Sequence, residues 1–358
     1  MVKCVQAEKK NAEATRRKLA DMGLLDNSYS PARDGKCVYF AVKKSALDFF
    51  RSGTSGASST LIKGKPADMK LVQRKLERRQ EHGKPLREEL AGKLTSGEME
   101  ELVGSFDILG DIAVLDIPQN LAGKERIIAD AILKNHRNVK VVAKKIAGTG
   151  GQFRIRPVVV IAGENRTTTV CTEAGCEFEL DLNEVYFSSR LEAERTRIAA
   201  LVKNGEKVLI PFAGVGPYAI RIAEKVPTAK VMGIDLNHAA VEFFWRNIER
   251  NGTHNVIAMK GDALHVLPHE FRGWADRLIM PHPTEAEKFL EHAIPCIKKG
   301  GMLHYYTFGN AENPFGKAER EVMDVAKRLG RKAEVVFRRI ARPYSKETVQ
   351  IVLDATIE

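Results

Sequence analysis

The sequence predicts an α/β protein. Its C-terminal half is a doubly wound, mostly parallel seven-stranded sheet, preceded by two smaller α/β (α+β) modules. Two observations carry this. From about residue 190 onward, apolar runs of strand length alternate with segments of helical spacing, the pattern of a parallel sheet covered by helices. Within it, "KVLIPFAGVGPYAIRIAEKV" (207–226) joins an apolar run to a helical segment through a glycine-rich turn. Open α/β sheets bind nucleotide-like ligands at such turns, outside the strand C-termini.

Taken in order, "VKCVQ" reads as a short strand and "AEKKNAEATRRKLADMGLL" as a charged amphipathic helix. "KCVYFAVK" is a strand after the turn-rich "DNSYSPARDG". The Gly/Ser-rich "RSGTSGASST" (51–60) reads as a linker and closes a first domain at 1–60. The basic run "MKLVQRKLERRQEHGKPLREEL" then reads as a solvated helical face. In a middle domain, 61–184, "FDILGDIAVLDIP" alternates as a strand and "KERIIADAILKNH" is helical. "VKVVAKK", "FRIRPVVVIAG" and "RTTTVCTEAGCEFELDL" are strands joined by glycine-containing turns. The third domain, 185–358, supplies strands at 207–210, "KVMGID", "NVIAMKGD", "ADRLIMPHP" and "MLHYYTFG". Its helices are "HAAVEFFWRNIERN", "TEAEKFLEHAIPCIKKG" and "GKAEREVMDVAKRLG". The closing strands "AEVVFRRIA" and "TVQIVLDAT" have no helix between them, so one of them is expected to run antiparallel.

Composition narrows the class. With 57 Lys and Arg against 46 acids, the chain carries a formal charge of +11, which suits a polyanionic partner or a merely basic surface. Lys134, Arg137, Lys140, Lys144, Lys145, Arg154 and Arg156 concentrate in the middle domain, where they suit a phosphate backbone. No apolar run has bilayer length, and "MVKCVQAEKKNAEATRRK" has no apolar leader core. A cytoplasmic protein is expected. The five cysteines are scattered, and "CTEAGC" has no second pair or His cluster to complete a metal site, so reduced thiols are expected.

The glycine turn selects the cofactor. A dinucleotide fingerprint needs a third glycine, and "AGVGPYAI" has Tyr218 and Ala219 where it would fall after Gly214 and Gly216. Pro217 suits a first helical turn, where its missing N–H costs nothing. Asp235 ends the next strand, placed to take both hydroxyls of a ribose. Asp262 ends the third strand, placed to accept from an adenine amino group. The competing reading of each acid is a helix N-cap or turn carboxylate. One ribose, one adenine and no pyrophosphate describe S-adenosylmethionine better than a dinucleotide, and an S-adenosylmethionine-dependent, Rossmann-like transferase domain is expected.

A second stretch, "VYFSSRLEAERTRIAALVKNGE", precedes the turn. Ser189 and Glu192 have the spacing of a capping box. The helix's apolar stripe is Leu191, Ile198, Leu201 and Val202, and Glu194 falls inside it, with Arg195 at its edge. A carboxylate on a buried face is costly unless paired, and desolvation raises its pKa toward what a general base near neutrality needs. The alternatives are a general base and a buried glutamate paired with a nearby arginine such as Arg190.

Together, "VYFSSRLEAERTRI", "FAGVGPYAI", "GIDLNHAAVEFFWRNI" and "LHYYTFG" resemble the archaeal and eukaryotic tRNA (guanine-N1)-methyltransferases acting at position 37. "FDILGDIAVLDIP" and "GQFRIRPVVVIAGENRTT" resemble that family's middle domain, and the first fifty residues its small N-terminal domain. The resemblance implies methyl transfer from S-adenosylmethionine to N1 of guanosine 37, with tRNA as partner and a monomeric enzyme. It implies Glu194 as the base that removes the N1 proton and Arg154 as the donor for charge developing on O6, with Arg156 the alternative. Tyr186, Arg195, Phe212, Gly214, Gly216, Asp235, Leu236, Asp262, Ala263 and Pro281 correspond to positions around the cofactor, Tyr186 having core packing as its alternative. Where the family often reads Asn-Leu-Pro after the fourth strand, this chain has Pro281-His282-Pro283, which removes a side-chain amide.

The related wyosine-pathway aminocarboxypropyltransferase uses the same cofactor. It carries Gly-Asn where this chain has Arg190-Leu191, and Gly-Tyr-Phe where this chain has Gly216-Pro217-Tyr218, so both differences favour methyl transfer. A small-molecule methyltransferase would leave the basic N-terminal half surplus, and a silent tRNA-binding protein would not need Gly214, Gly216 and Asp235.

Overall fold

Antiparallel pairing organises the first unit of the chain. The computed structural model describes residues 1–43, 46, 70–76, 86–102, 104–148, 150–284 and 286–358. The fold divides into Met1–Gly83 and Lys84–Glu358. In the first unit, β1 (Val2–Glu8), α1 (Ala12–Asp21), β2 (Ala32–Arg33), β3 (Cys37–Ala41) and β4 (Lys70–Arg74) form a sheet ordered β2-β3-β1-β4. Val5, Leu19 and Phe40 meet in its core. β4 corrects the expected boundary at residue 60 and the reading of 69–90 as one helical face. Lys70 to Arg74 pair with β1 instead, and the adjacent Leu71 and Val72 point to opposite faces of the strand, Leu71 onto Val5 and Phe40 and Val72 onto Cys4 and Tyr39. The stretch 51–60 lies outside the described residues.

The second unit opens with α2 (Leu86–Glu89) and α3 (Ser96–Glu101), the latter closed by a capping box between Thr95 and Glu98. β5 (Asp107–Leu109), β6 (Ile112–Leu115), α4 (Glu125–Asn135), β7 (Val141–Lys145) and β8 (Val158–Gly163) follow, with sheet order β5-β6-β7-β8. "FDILGDIAVLDIP", expected as one strand, is a hairpin folded at Gly110, whose φ is +57° and where a Cβ would meet Thr169 Oγ1 at 2.2 Å. In "FRIRPVVVIAG" only the apolar end is a strand; "FRIR" lies in turns and loop before it.

β9 (Thr168–Glu173) and β10 (Cys176–Asp181) form a two-stranded hairpin. The boundary expected at 184 separates it from the sheet it packs on. Phe178 and Leu180 share one apolar core with Val208, Ile210 and Phe244. The fully buried Asn247 accepts from Glu179 N at 2.7 Å and donates to Glu179 O at 3.0 Å, stitching the hairpin to the helix that carries it.

The remainder is the expected alternation: α5 (Glu192–Leu201), β11 (Lys207–Pro211), α6 (Pro217–Lys225), β12 (Lys230–Asp235), α7 (His238–Asn251), β13 (Val256–Lys260), α8 (Ala263–Glu270), β14 (Ala275–Met280), α9 (Leu290–Ala293), β15 (Ile297–Asn310), α10 (Gly316–Arg328), β16 (Ala333–Pro343) and β17 (Thr348–Ile357). The seven-stranded sheet runs β13-β12-β11-β14-β15-β17-β16. β17 is antiparallel to both neighbours, and the other pairs are parallel. The fold class is therefore as expected.

Two further local expectations are corrected, and one helix was missed. Ser189 and Glu192 form no capping box, because a 3-10 turn at Ser189–Leu191 precedes α5 and Leu191 takes the N-cap position. "TEAEKFLEHAIPCIKKG" is not one helix but two 3-10 turns around the four-residue α9, with Pro295 inside the second turn. α8 was not anticipated, since "ALHVLPHE" carries Pro268.

Candidate active site

The site is built where β11, β12, β13 and β14 end. β11 delivers Phe212 at φ +66°, Gly214 at φ +58° and Gly216 at φ +87°, and α6 begins at Pro217. Gly214 N donates to Asp235 Oδ2 at 2.7 Å, and Asn237 N donates to Oδ1 at 2.9 Å, so the carboxylate at the end of β12 braces both turns. Burial pushes the Asp235 carboxyl up from its ordinary value, against these amide donors. Each oxygen keeps a lone pair for a further donor.

In front of these turns lies a cavity of ≈ 500 Å³, within the range of small-molecule sites. Arg154, Tyr186, Arg195, Phe212, Gly214, Asp235, Leu236, Asp262, Ala263 and Pro281 all line it. Two residues singled out from the sequence do not. Gly216 lies off the lining, and a Cβ there would meet Phe244 Cδ2 at 2.1 Å, so its glycine serves the approach of α7 to α6. Gly214 is the open one, with nothing nearer to an added Cβ than Tyr186 O at 4.0 Å.

Glu194 is the second. Its side chain is buried, one layer behind the wall formed by its helix neighbours Leu191 and Arg195 and by Tyr218. Oε1 accepts from Arg197 Nε at 2.9 Å, Arg197 Nη2 at 2.6 Å and the Tyr306 hydroxyl at 2.8 Å. No hydrogen bond reaches the buried Oε2 from any described residue. The expected partner is corrected: Arg190 pairs with Asp107 at 2.7 Å, and Arg197, one turn along the same helix, holds Glu194.

Asp262 caps α8 by accepting from Leu264 N at 2.9 Å, the structural reading, and it also lines the cavity. Arg195 is 3% exposed; its Nη1 meets both Glu173 oxygens at 2.7 and 2.5 Å, and its Nε faces no hydrogen-bond acceptor among the described residues. Burial pushes Glu173 up despite that partner. Tyr186 is only half-buried; its hydroxyl accepts from Arg342 Nη2 at 3.2 Å.

Arg154 closes the opposite side. Its Nη1 donates to the Thr284 hydroxyl in the loop after β14, and its guanidinium carbon lies 5.5 Å from the Tyr186 ring centre. Its buried Nε has no partner among the described residues. Arg156 instead lines a smaller cavity beside Arg190 and Arg342. Of the three non-glycine residues with positive φ among the described residues, Arg154 and Phe212 both line the cavity at the strand ends, the placement expected of strain kept at a functional site. Pro281 and His282 follow β14; His282 stacks 5.1 Å from Phe212, which also meets Phe289 at 4.6 Å. Phe289 and Asn237 were missed from the sequence, as were Tyr306 and Asp354 behind the wall.

Family models match three stretches of the chain: the tRNA methyltransferase 5 N-terminal domain over 4–50, the TYW2 N-terminal domain over 86–167 and the TRM5/TYW2 methyltransferase domain over 169–336. A Pyrococcus abyssi protein named tRNA (guanine(37)-N(1))-methyltransferase Trm5b is 35% identical over 354 residues, covering 99% of this chain and 98% of that one. The chain belongs to the TRM5/TYW2 methyltransferase family. Two solved structures place it among the Trm5 members. A complex of aTrm5 with tRNALeu is 30% identical, with TM-score 0.68 and 99% of each chain covered. Methanocaldococcus jannaschii Trm5 in complex with adenosine is 29% identical, with TM-score 0.64 and 99% of each chain covered.

Proposed function

We propose that this TRM5/TYW2-family chain is a tRNA (guanine37-N1)-methyltransferase. The observation that carries the reading is the cavity itself, lined by the Asp235 carboxylate at the end of β12 and by Arg154, in a chain similar end to end to proteins of that name.

S-adenosylmethionine is the cofactor, and the donor set fits it. Asp235 has acceptor capacity for two ribose hydroxyls, Asp262 and Ala263 line the cavity at the end of β13 for the adenine in this reading, and Gly214 leaves its part of the wall open. When bound, this cofactor supplies an electrophilic methyl group on a sulfonium.

Guanine N1 carries a proton and is a poor nucleophile until that proton leaves. Glu194 Oε2, the carboxylate oxygen without a donor, is the acceptor in this reading. The base must leave the anticodon-loop stack to enter, and Glu194 must come forward from behind Arg195 and Tyr218 to meet it. As N1 loses its proton, charge spreads to O6, and in this reading the Arg154 guanidinium donates to it. The formal charge of +11 suits a tRNA partner. Among the described residues no helix is long and apolar enough to cross a membrane. The reading includes a monomer acting in the cytoplasm, and light scattering should return the mass of one chain.

The test is nucleoside mass spectrometry of tRNA transcripts incubated with enzyme and S-adenosylmethionine. N1-methylguanosine from a G37 transcript and no product from A37 supports the reading. An aminocarboxypropyl mass gain on a wyosine precursor, without methyl product, would move the chain to the other branch of its family, the one that the match of residues 86–167 to a TYW2 N-terminal domain favours.

A further inference from the structure

Glu194 stands at the end of a buried row of charges that proton removal does not by itself require. The Arg197 guanidinium lies between two carboxylates. Two of its nitrogens meet Glu194 Oε1, while Nη1 donates to Asp354 Oδ2 at 2.6 Å and Nη2 to Asp354 Oδ1 at 3.1 Å. Asp354 comes from β17 and is 4% exposed. Its Oδ1 lies 2.6 Å from His304 Nδ1, and His304 Nε2 lies 2.6 Å from Arg277 Nη1. An arginine has only donors to offer, so Nε2 is the accepting nitrogen and the ring proton sits on Nδ1. His304 is therefore neutral, and burial, which outweighs the pull of Asp354, pushes it down from its ordinary value. Arg277 is in turn paired with Glu206 at 3.0 Å.

The row holds three carboxylates, Glu194, Asp354 and Glu206, against two guanidiniums, Arg197 and Arg277. One negative charge is in surplus, and it is removed when Glu194 takes a proton. The phenols facing Glu194 add no charge, and the one further cation, Arg339, offsets the surplus only in part. Tyr306 on β15 donates to Oε1, Tyr218 on α6 packs edge-on against Tyr306 at 6.0 Å, and both phenols are pushed up by burial and stay neutral. Arg339 on β16 stands 3.6 Å from Oε2, but its side chain is 46% exposed and its charge is screened by water.

We propose that Asp354 is a positioning residue for Glu194, acting through Arg197. By engaging part of the guanidinium it keeps Arg197 from fully neutralising Glu194. By fixing the guanidinium on Oε1 it leaves Oε2 as the oxygen that forms the new O–H bond as the N1–H bond of guanine breaks, with the electron pair remaining on the base. The inference rests on Glu194 being the base.

The test is the pH dependence of single-turnover methyl transfer to a G37 transcript. Asp354→Asn releases Arg197 wholly to Glu194 and so neutralises that carboxylate more completely. The acid limb should move down by about one pH unit and the neutral-pH rate fall about tenfold, with S-adenosylmethionine affinity within about twofold. Arg197→Gln removes the cation and should move the limb the other way. Opposite shifts are not expected of two merely structural residues. A folded Asp354→Asn protein with wild-type rate and limb would overturn the inference, as would shifts of one sign in both variants. If only one variant folds, the sign of its shift decides. Glu194→Gln separates the two levels: full activity in that variant removes the base assignment itself, whereas its inactivity beside a wild-type Asp354→Asn removes only the role of Asp354.

Discussion

Gly216 and Phe244 occupy one contact: a Cβ on Gly216 would lie 2.1 Å from Phe244 Cδ2, and one on Gly233 would lie 2.4 Å from Phe244 Cε1. The aromatic ring of α7 is thus seated against bare backbone of the glycine turn and of β12. Gly216→Ala must accept both a left-handed backbone and an overpacked core, together about 2–5 kcal/mol of stability. Gly214→Ala meets no such clash and should cost about 1–2 kcal/mol through backbone strain alone, while placing a methyl on the cavity wall. Urea unfolding should show the larger loss for Gly216→Ala, and calorimetry the larger relative loss of S-adenosylmethionine affinity for Gly214→Ala.

Asp235 makes the affinity pH-dependent. Burial raises its carboxyl above the ordinary value of 3.8, so it protonates at a higher pH than an exposed aspartate. The protonated form loses acceptor capacity toward the ribose hydroxyls. Cofactor affinity should therefore be full near neutrality and fall on acidification, before ordinary carboxylates titrate. Asp235→Ala should bind roughly 10–100-fold more weakly, consistent with losing hydrogen bonds to a charged group, and with a flatter profile. An unchanged affinity in that variant by titration calorimetry would contradict the placement of the ribose.

Arg154 and Arg156 separate by location, and their variants should separate by effect. Arg154→Ala removes a guanidinium that lines the cavity and whose Nε has no partner among the described residues, and should lower the single-turnover rate by about 10²–10³. Arg154→Lys should restore little, because an ammonium cannot reproduce a guanidinium that reaches Thr284 with one nitrogen and offers another to the base. Arg156→Ala, at the neighbouring cavity, should stay within a few-fold of wild type.

The large elements were legible because their signals are local. Strand length, helical period and the glycine turn announce β11, α6, β12 and α7 without any partner in view. Failures occurred where a partner decides. β4 looks like basic helix until β1 supplies its hydrogen bonds. Pro268 hides α8, although a proline six residues into a helix opened by the Asp262 cap breaks only one turn's bonding. In the site, Asp235 and Asp262 stood out as acids at strand ends. Tyr306 and Asp354 did not, since they come from strands far along the chain whose sequences read as core. Asp354 did leave a trace, as a lone carboxylate within "TVQIVLDAT". Arg197 also lay in plain view, three residues after Glu194, which is the spacing of helix neighbours.

The most direct test of the account is the single-turnover methylation of a G37 transcript by Glu194→Gln at saturating tRNA and cofactor. The amide of that variant keeps the shape and an oxygen for Arg197 and Tyr306 but cannot take a proton. The rate should be lower by about 10²–10⁴ with cofactor affinity unchanged. A rate equal to wild type would contradict it and leave Glu194 as no more than the partner of Arg197.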